Sequence, residues 1–410
     1  PSSHILMNER FPNSAAEFER ALKVVAEGTT QTRAPALMAP CDYPIFSECG
    51  KGARIWDIDG NCYLDWILSF GCIVLGHSHP VVNAAVIEQV EKGHTQQLPP
   101  VLQNDLAEKL VELIPCAEKT LFLKTGSDAT TAAVRVARLV TGRDKIIRLG
   151  YNGWHDWCCK VDPGIPQDVL DLTLKFNYND LDSLAAVFEA NPGEICGVIM
   201  WACEVEEPQP GFLEGVRDLC HQNGALFIMD EVRTGFHFAL GGAQEYFGVT
   251  PDLATFGKAM SNGYPISALV GPAEYMDTIG QTWMSSTHCT NAIEYAAALA
   301  TIRFMEENDA IATMWDIGRK LIDRQNALAR DIGVDIEAVG LAPTPDFAFH
   351  YDEPDTARSV RKIFFEAVVD EGVFFHANHH GFVCAVHTDA DVEESLAATA
   401  AGYRAVKEAI

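Results

Sequence analysis

Residues 195–230 read ICGVIMWACEVEEPQPGFLEGVRDLCHQNGALFIMD. Two apolar runs, 195–201 and 225–230, bracket a segment with helical apolar spacing at 212–222. Short uninterrupted apolar runs separated by a helix are the pattern of parallel strands covered on both faces, with the helix as the crossover. The second run ends in Asp230. A carboxylate at the carboxyl end of a parallel strand stands where open α/β sheets bind ligands.

The same alternation extends outward. Strands are predicted at 120–124, 145–149, 253–256 and 266–270, with a helix rich in small residues at 127–140. Helices are also predicted at 80–92, where Pro80 suits a first helical position, and at 102–113. Towards the amino end, Ser14-Ala15-Ala16-Glu17 reads as a capping box opening a helix to about residue 27. Residues 54–66 read as a hairpin turning at Asp59-Gly60-Asn61. After Asn291 the pattern is helical to about 332. A smaller α+β unit follows: strands at 347–350, 373–375 and 382–386, and helices at 357–371 and from Asp391. The expected organisation is a segment 1–65 that joins the small domain and a dimer interface, a large domain 66–305, and a small domain 306–410.

Composition narrows the function. The 410 residues carry 30 Lys and Arg against 57 Asp and Glu, a net charge of −27. Nucleic acids and anionic membranes need clustered cations, so neither is an expected partner. No apolar run approaches the roughly 18 residues that span a bilayer. The first thirty residues carry Glu9, Arg10, Glu17, Glu19, Arg20 and Lys23 and no apolar signal core. The 12 cysteines include no C-x-x-C pair, so reduced thiols in a cytoplasmic protein are the expectation.

Three places can carry chemistry. Thr125-Gly126-Ser127-Asp128 stands at a strand-to-helix junction, where a glycine admits close approach and helix amides can hold phosphate; the same residues also make an ordinary cap. Asp230 can bind a metal, pair with a base, or keep a heteroaromatic nitrogen protonated, and it can equally cap a turn. Lys258 follows an apolar strand among small residues, where desolvation lowers an amine's pKa and suits it to a Schiff base. Together, a phosphate cradle, a strand-end carboxylate and such a lysine are what pyridoxal phosphate requires.

The segments Asp230-Glu231-Val232-Arg233-Thr234-Gly235-Phe236 and Pro251-Asp252-Leu253-Ala254-Thr255-Phe256-Gly257-Lys258 resemble the class III, fold-type I pyridoxal-phosphate aminotransferases, in particular the glutamate-1-semialdehyde aminomutase branch. Trp56-Asp57-Ile58-Asp59-Gly60, Gly76-His77-Ser78-His79-Pro80 and Gly241-Gly242-Ala243-Gln244 extend the likeness over nearly the whole chain. The resemblance implies a seven-stranded, mostly parallel sheet with a smaller α+β domain. It implies that Lys258 is the Schiff-base lysine, that Asp230 holds the ring nitrogen, that Val232 and Tyr151 flank the ring, and that Gly126 and Ser127 hold phosphate. It further implies a homodimer with shared sites, in which Thr287 reaches the partner's phosphate, and it matches Arg33 to a substrate-carboxylate contact. His77 and His79 fall in a family-type turn, and no metal is expected there or at His376, His379 and His380.

The departures bear on substrate. Asp128 replaces a glutamate, Asn152 replaces a histidine after the stacking tyrosine, and Trp201-Ala202 replaces a Glu-Pro pair. The segment 157–174 is shorter than the aminomutase's gating loop, which favours aminotransfer to an aldehyde or ketone over the mutase reaction; an epimerase and a β- or ω-amino acid aminotransferase are the other readings. Glu204, Glu206 and Glu207, with the acidic net charge, point to a cationic aminosugar or aminoglycoside intermediate as substrate. Trp154, His155 and Trp157 either line the mouth of the site or form an aromatic patch at the dimer seam.

Overall fold

A computed structural model describes residues 10–30 and 43–410, so Arg33 lies outside the described residues. The chain divides into two units, residues 80–311 and the combination of 1–79 with 312–410.

The 80–311 unit is built on the seven-stranded sheet. Its strands in chain order are β1 (Lys119–Leu123), β2 (Lys145–Leu149), β3 (Thr173–Lys175), β4 (Ile195–Met200), β5 (Leu226–Asp230), β6 (Leu253–Phe256) and β7 (Ser267–Gly271). Across the sheet they lie in the order β1-β7-β6-β5-β4-β2-β3. Strand β7 is antiparallel to both β1 and β6, while the pairs β6/β5, β5/β4, β4/β2 and β2/β3 are parallel. Six of the seven strands therefore run the same way, and their carboxyl ends share one edge. Every residue of β4, β5, β6 and β7 is buried, as continuous apolar runs require. The helix Gly126–Thr141 packs Ala132, Ala133 and Ala137 into that core, and its small side chains let it lie close to the strands.

In the other unit, Ser47–Lys51, Arg54–Asp57 and Cys62–Asp65 form an antiparallel meander, and Val373–Phe374 joins it in parallel. Trp66 anchors its core: the indole stacks on His387 at 3.9 Å and donates to Ser395 Oγ at 2.8 Å. The long helices Pro354–Asp370 and Asp389–Ala409 meet through Phe364 and Tyr403, whose rings lie 5.1 Å apart. His77 bonds Asp65 at 2.8 Å and pairs its backbone with Gly52, which makes it a structural residue of this unit. Among the described residues no helix is long and apolar enough to cross a membrane.

Several expectations need correction. No capping box forms at Ser14. The first helix runs Pro12–Ala21, and Asp59 from the hairpin turn accepts the amides of Asn13 and Ser14 at 2.7 and 3.0 Å. A distant carboxylate has replaced the local cap, and the helix stops well short of 27. Residues 382–386 are not a strand, because their amides reach different partners: Phe382 to Trp66, Val383 to Pro343 and Ala385 to Val74. The helical stretch after Asn291 is two helices, Ala292–Glu307 and Ala310–Ile332, broken where Asp309 takes φ of 49°. Strands Ser47–Lys51, Thr173–Lys175 and Ile336–Val339 were not anticipated, since each is short and lacks a clear apolar alternation.

Beyond β5, Glu231 clamps the next turn. Its fully buried carboxylate accepts the amides of Ala243 and Gln244 at 2.7 and 2.9 Å, and the hydroxyl of Thr234. Gly242, at φ of +84°, leaves room for it: a Cβ there would stand 2.5 Å from Glu231 Oε2.

Two stability predictions follow from this packing. Gly318 lies inside the helix Ala310–Ile332, where a Cβ would stand 1.8 Å from the carbonyl oxygen of Ala342. Glycine to alanine in a helix ordinarily stabilises by about 1 kcal/mol; here the overlap should reverse the sign, and Gly318→Ala should cost about 2 kcal/mol or more. A thermal midpoint equal to or above wild type would contradict it. For Glu231, burial pushes the carboxyl up to about 7 from an ordinary 4.5, against the pull of Thr234, Ala243 and Gln244. Between those values the folded chain holds a proton that the unfolded chain has released, so this residue's contribution to stability falls as pH rises through the window. Glu231→Gln should lower the midpoint, because its NH₂ faces amide donors, and should flatten the dependence between about pH 5 and about pH 7. An unchanged slope in thermal denaturation would show that Glu231 stays ionised throughout.

Candidate active site

The shared carboxyl edge of the sheet gathers the expected residues. Gly126 and Ser127 follow β1, Tyr151 follows β2, Glu204 follows β4, Asp230 ends β5 with Val232 just beyond, and Lys258 follows β6. The antiparallel β7 contributes none of them.

After β1, Thr125 caps the helix: its Oγ1 accepts from the Asp128 amide at 3.2 Å and Asp128 returns a bond to the Thr125 amide at 2.8 Å. Thr125 and Asp128 are thus occupied with the cap, and Gly126 and Ser127 form the first turn. The loop after β2 is fastened to this turn. Thr130 donates to the Asn152 carbonyl at 2.6 Å, and the Trp154 amide donates to Ser127 Oγ at 3.3 Å. Two glycines permit the approach. Gly153, at φ of +128°, would place a Cβ 2.6 Å from Ser127 Oγ, and Gly126 would place one 2.8 Å from Val232 Cγ1.

Asp230 is buried to 2% exposure, and its carboxylate is held from three strands. Asn152 Nδ2, after β2, donates to Oδ2 at 2.9 Å; the Val232 amide and Thr255 Oγ1, on β6, each donate to Oδ1 at 3.2 Å. Burial raises the Asp230 pKa, whereas Asn152, Val232, Thr255 and the charge of Lys258 pull it down. Lys258 is half-buried and sits at φ of 44°, a left-handed conformation that a non-glycine residue adopts only under constraint. Its charge also bears on His237, whose fully buried imidazole is pushed down to about 3, chiefly by burial and then by Lys258. His237 is therefore neutral at any working pH.

Arg233 and His237 are the residues that sequence reasoning missed. Both lie in or beside the quoted motif, and nothing in their type or spacing signals burial. The Arg233 guanidinium lies 4.3 Å from the Trp201 ring centroid and donates to the Cys203 carbonyl. Burial lowers its pKa, while Cys203, Glu204 and Asp230 raise it. Trp201, in place of the anticipated glutamate, lies over Gly150, where a Cβ would come within 2.9 Å of its ring.

The substrate residues fare unevenly. Glu204 is half-buried, whereas Glu206 and Glu207 are exposed and their carbonyls accept from Tyr178 and Asn179 at 3.0 and 3.5 Å. Trp154 is exposed, its ring 5.1 Å from that of His155. His155 Nδ1 lies 2.7 Å from Thr131 Oγ1, and Trp157 Nε1 donates to the same oxygen at 2.8 Å. Trp157 is buried in the sheet core, so it does not line a mouth as expected. Tyr151 is half-buried with Lys160 Nζ 5.6 Å from its ring centroid, and Thr287 is exposed at the start of the turn Thr287–Thr290.

Known proteins place this arrangement. The family model described as Aminotransferase class-III matches residues 38–395. The 3-aminobutyryl-CoA aminotransferase of Cloacimonas acidaminovorans (strain Evry) is 41% identical over 407 residues, covering 97% of this chain and 98% of that protein. The glutamate-1-semialdehyde 2,1-aminomutase of Chloroflexus aurantiacus is 33% identical, covering 97% of this chain and 98% of its own length. Among solved structures, the PLP internal aldimine form of the FumI protein of Sphingopyxis sp. MTA144 superposes with a TM-score of 0.91 at 32% identity, over 96% of each chain. The chain belongs to the class III aminotransferases, enzymes of fold type I that depend on pyridoxal phosphate.

Proposed function

We propose that this aminotransferase takes its amino group from a β-amino acyl compound and passes it to a keto acceptor. The observation that carries the reading is the 41% identity, over nearly the whole of both chains, to a protein named for 3-aminobutyryl-CoA. A second observation separates it from the cationic aminosugar that the acidic loop suggested. The charge of Glu204 acts on Arg233, which is buried, so a cation accompanies the acidic loop and the loop is not a purely anionic surface.

The residues at the sheet edge fit the cofactor. Gly126 and Gly153 keep a cradle open that a Cβ would fill, and a buried carboxylate, an amine on a constrained loop and a half-buried tyrosine end or follow strands at the same edge of the sheet. When bound, pyridoxal phosphate supplies an aldehyde carbon for the amine and a cationic ring that accepts electron density. In this reading Gly126 and Ser127 hold the phosphate, and Val232 and Tyr151 flank the ring. Asp230, whose carboxylate accepts from Asn152, Val232 and Thr255, would hold the proton on the ring nitrogen. Lys258 Nζ removes the proton from the amine-bearing carbon and returns it one position along, as general base and then general acid. Arg33 would meet a carboxylate on the keto acceptor, since an acyl thioester has none.

The test is the first half-reaction followed by the absorbance of the bound cofactor. A β-amino acyl thioester should convert the cofactor to its amine form faster than an α-amino acid or an aminosugar does. Fastest conversion by an aminosugar would move the assignment to the cationic substrate. Lys258→Ala should retain the fold by circular dichroism and lose turnover by about 10³-fold or more, as general acid–base catalysis and the covalent link disappear together.

The active unit is proposed to be a homodimer in which Thr287 completes the partner's phosphate site. A Lys258→Ala protomer and a Thr287→Ala protomer, each inactive or impaired alone, should recover activity on mixing. Half of each mixed dimer then carries both lesions and the other half carries neither. No gain after verified subunit exchange would place Thr287 in its own subunit's site.

A further inference from the structure

An ionised carboxylate offers about four acceptor positions, two on each oxygen. Among the described residues three donors meet Asp230. The Val232 amide and Thr255 Oγ1 both reach Oδ1 at 3.2 Å, and Asn152 Nδ2 reaches Oδ2 at 2.9 Å. Oδ1 has both positions taken, so the one left for a further donor is on Oδ2, beside the Asn152 amide.

Asn152 is itself held in place. It is 2% exposed, and its carbonyl accepts from Thr130 Oγ1 at 2.6 Å. The next residue, Gly153, lies so close to Ser127 that a Cβ would overlap its hydroxyl. The side-chain Oδ1 of Asn152 is buried and has no hydrogen-bond partner. An unmet buried acceptor is costly, yet turning the amide over would bring that oxygen against the Asp230 carboxylate, two acceptors with no proton between them. The carboxylate's charge therefore decides which way the amide points. Burial raises the Asp230 pKa, and Asn152 stands first among the influences that lower it.

The residue type has a consequence of its own. An amide does not titrate, whereas the histidine that the resemblance leads one to expect here would change charge between about pH 5 and about pH 8. The other groups whose charge acts with Asp230 are Lys258 after β6, Arg233 beyond β5 and the thiol of Cys158, which burial pushes up to about 12. None of them is an imidazole.

We propose that Asn152 is the positioning residue for the ring-nitrogen carboxylate: it aims Asp230 Oδ2 and, because it does not titrate, keeps that oxygen's surroundings constant where a histidine would change charge. The inference rests on the reading of Asp230 as the partner of the ring nitrogen and goes beyond it, to the residue that governs Asp230.

Two readouts test it without turnover: the Kd of the holoenzyme for pyridoxal phosphate by equilibrium dialysis, and the absorbance of the bound cofactor against pH. Asn152→Ala removes a hydrogen bond to a charged group and should raise Kd about tenfold or more. Asn152→Asp keeps the shape and changes the charge. Its protonated carboxyl can donate to Asp230 and its ionised form repels it. Relative to wild type at each pH, its Kd should be near equal in acid and should rise beyond that of the alanine variant as pH increases. This comparison is made within one protein, so it does not depend on the alanine variant folding. Asn152→His should hold the cofactor about as tightly as wild type, since either ring state donates an N–H. Its absorbance should gain an inflection between about pH 5 and about pH 8 beyond any that wild type shows. Equal Kd for wild type and Asn152→Ala, an Asn152→Asp Kd that tracks wild type at every pH, or a wild-type pH curve for Asn152→His would each overturn the inference. Asp230→Asn separates it from the reading beneath it. If that variant leaves Kd and spectrum unchanged, both fall; if it alters them and the Asn152 variants do not, the inference falls and the role of Asp230 stands.

Discussion

A carboxylate buried to 2% exposure has to be kept charged, and in this fold that requirement reaches across the sheet. Desolvating a carboxylate costs several kcal/mol unless donors and an opposite charge replace the lost water. Asp230 finds its donors on Asn152 after β2, on the Val232 amide beyond β5 and on Thr255 of β6, with Lys258 supplying positive charge. None of these comes from a single local segment. The residue pairing Asp230↔Thr255 in the β5/β6 register is what brings the hydroxyl alongside, and a slip of one residue would turn it to the other face. The parallel register of the sheet and the charge of one side chain are thus the same fact seen at two scales.

That dependence accounts for two departures from the family pattern taken together. Asn152 supplies an amide N–H to Asp230 where a histidine was expected, and Trp201 occupies the place of a glutamate. With no second carboxylate there, the strand-end region has less negative charge to hold. Arg233 lies against the Trp201 ring and is tied to the Cys203 carbonyl. An aromatic face and a backbone carbonyl are gentler partners for a guanidinium than a buried ion pair, since they leave no carboxylate to desolvate.

Much of this was legible in the sequence because it obeys local rules. Helix 212–222 and strands 145–149 and 253–256 coincide with their predicted bounds, since each is an apolar run or face bounded by turn residues. The strand-end positions of Asp230 and Lys258 were legible for the same reason. What escaped depends on distant partners. Asp59 caps a helix from more than forty residues away, and the amides of 382–385 scatter to Trp66, Pro343 and Val74. Trp157 looked like a surface aromatic and is core, because Thr131 on a neighbouring helix accepts its N–H. Glu204 reads as part of an acidic patch, but its charge acts on Arg233, whose burial no residue type or spacing signals.

Charge therefore has to be read at short range. The value of −27 for the whole chain acts over about a Debye length, near 10 Å at 0.1 M salt, and it sets solubility and slow approach more than recognition. Within that distance the signs are local. In the loop after β4 the charge of Glu204 acts on the buried Arg233, so an acidic stretch of sequence carries a cation beside it. The sheet edge carries the family's shared chemistry, and Arg233, buried just beyond β5, adds there a charge that composition alone does not reveal.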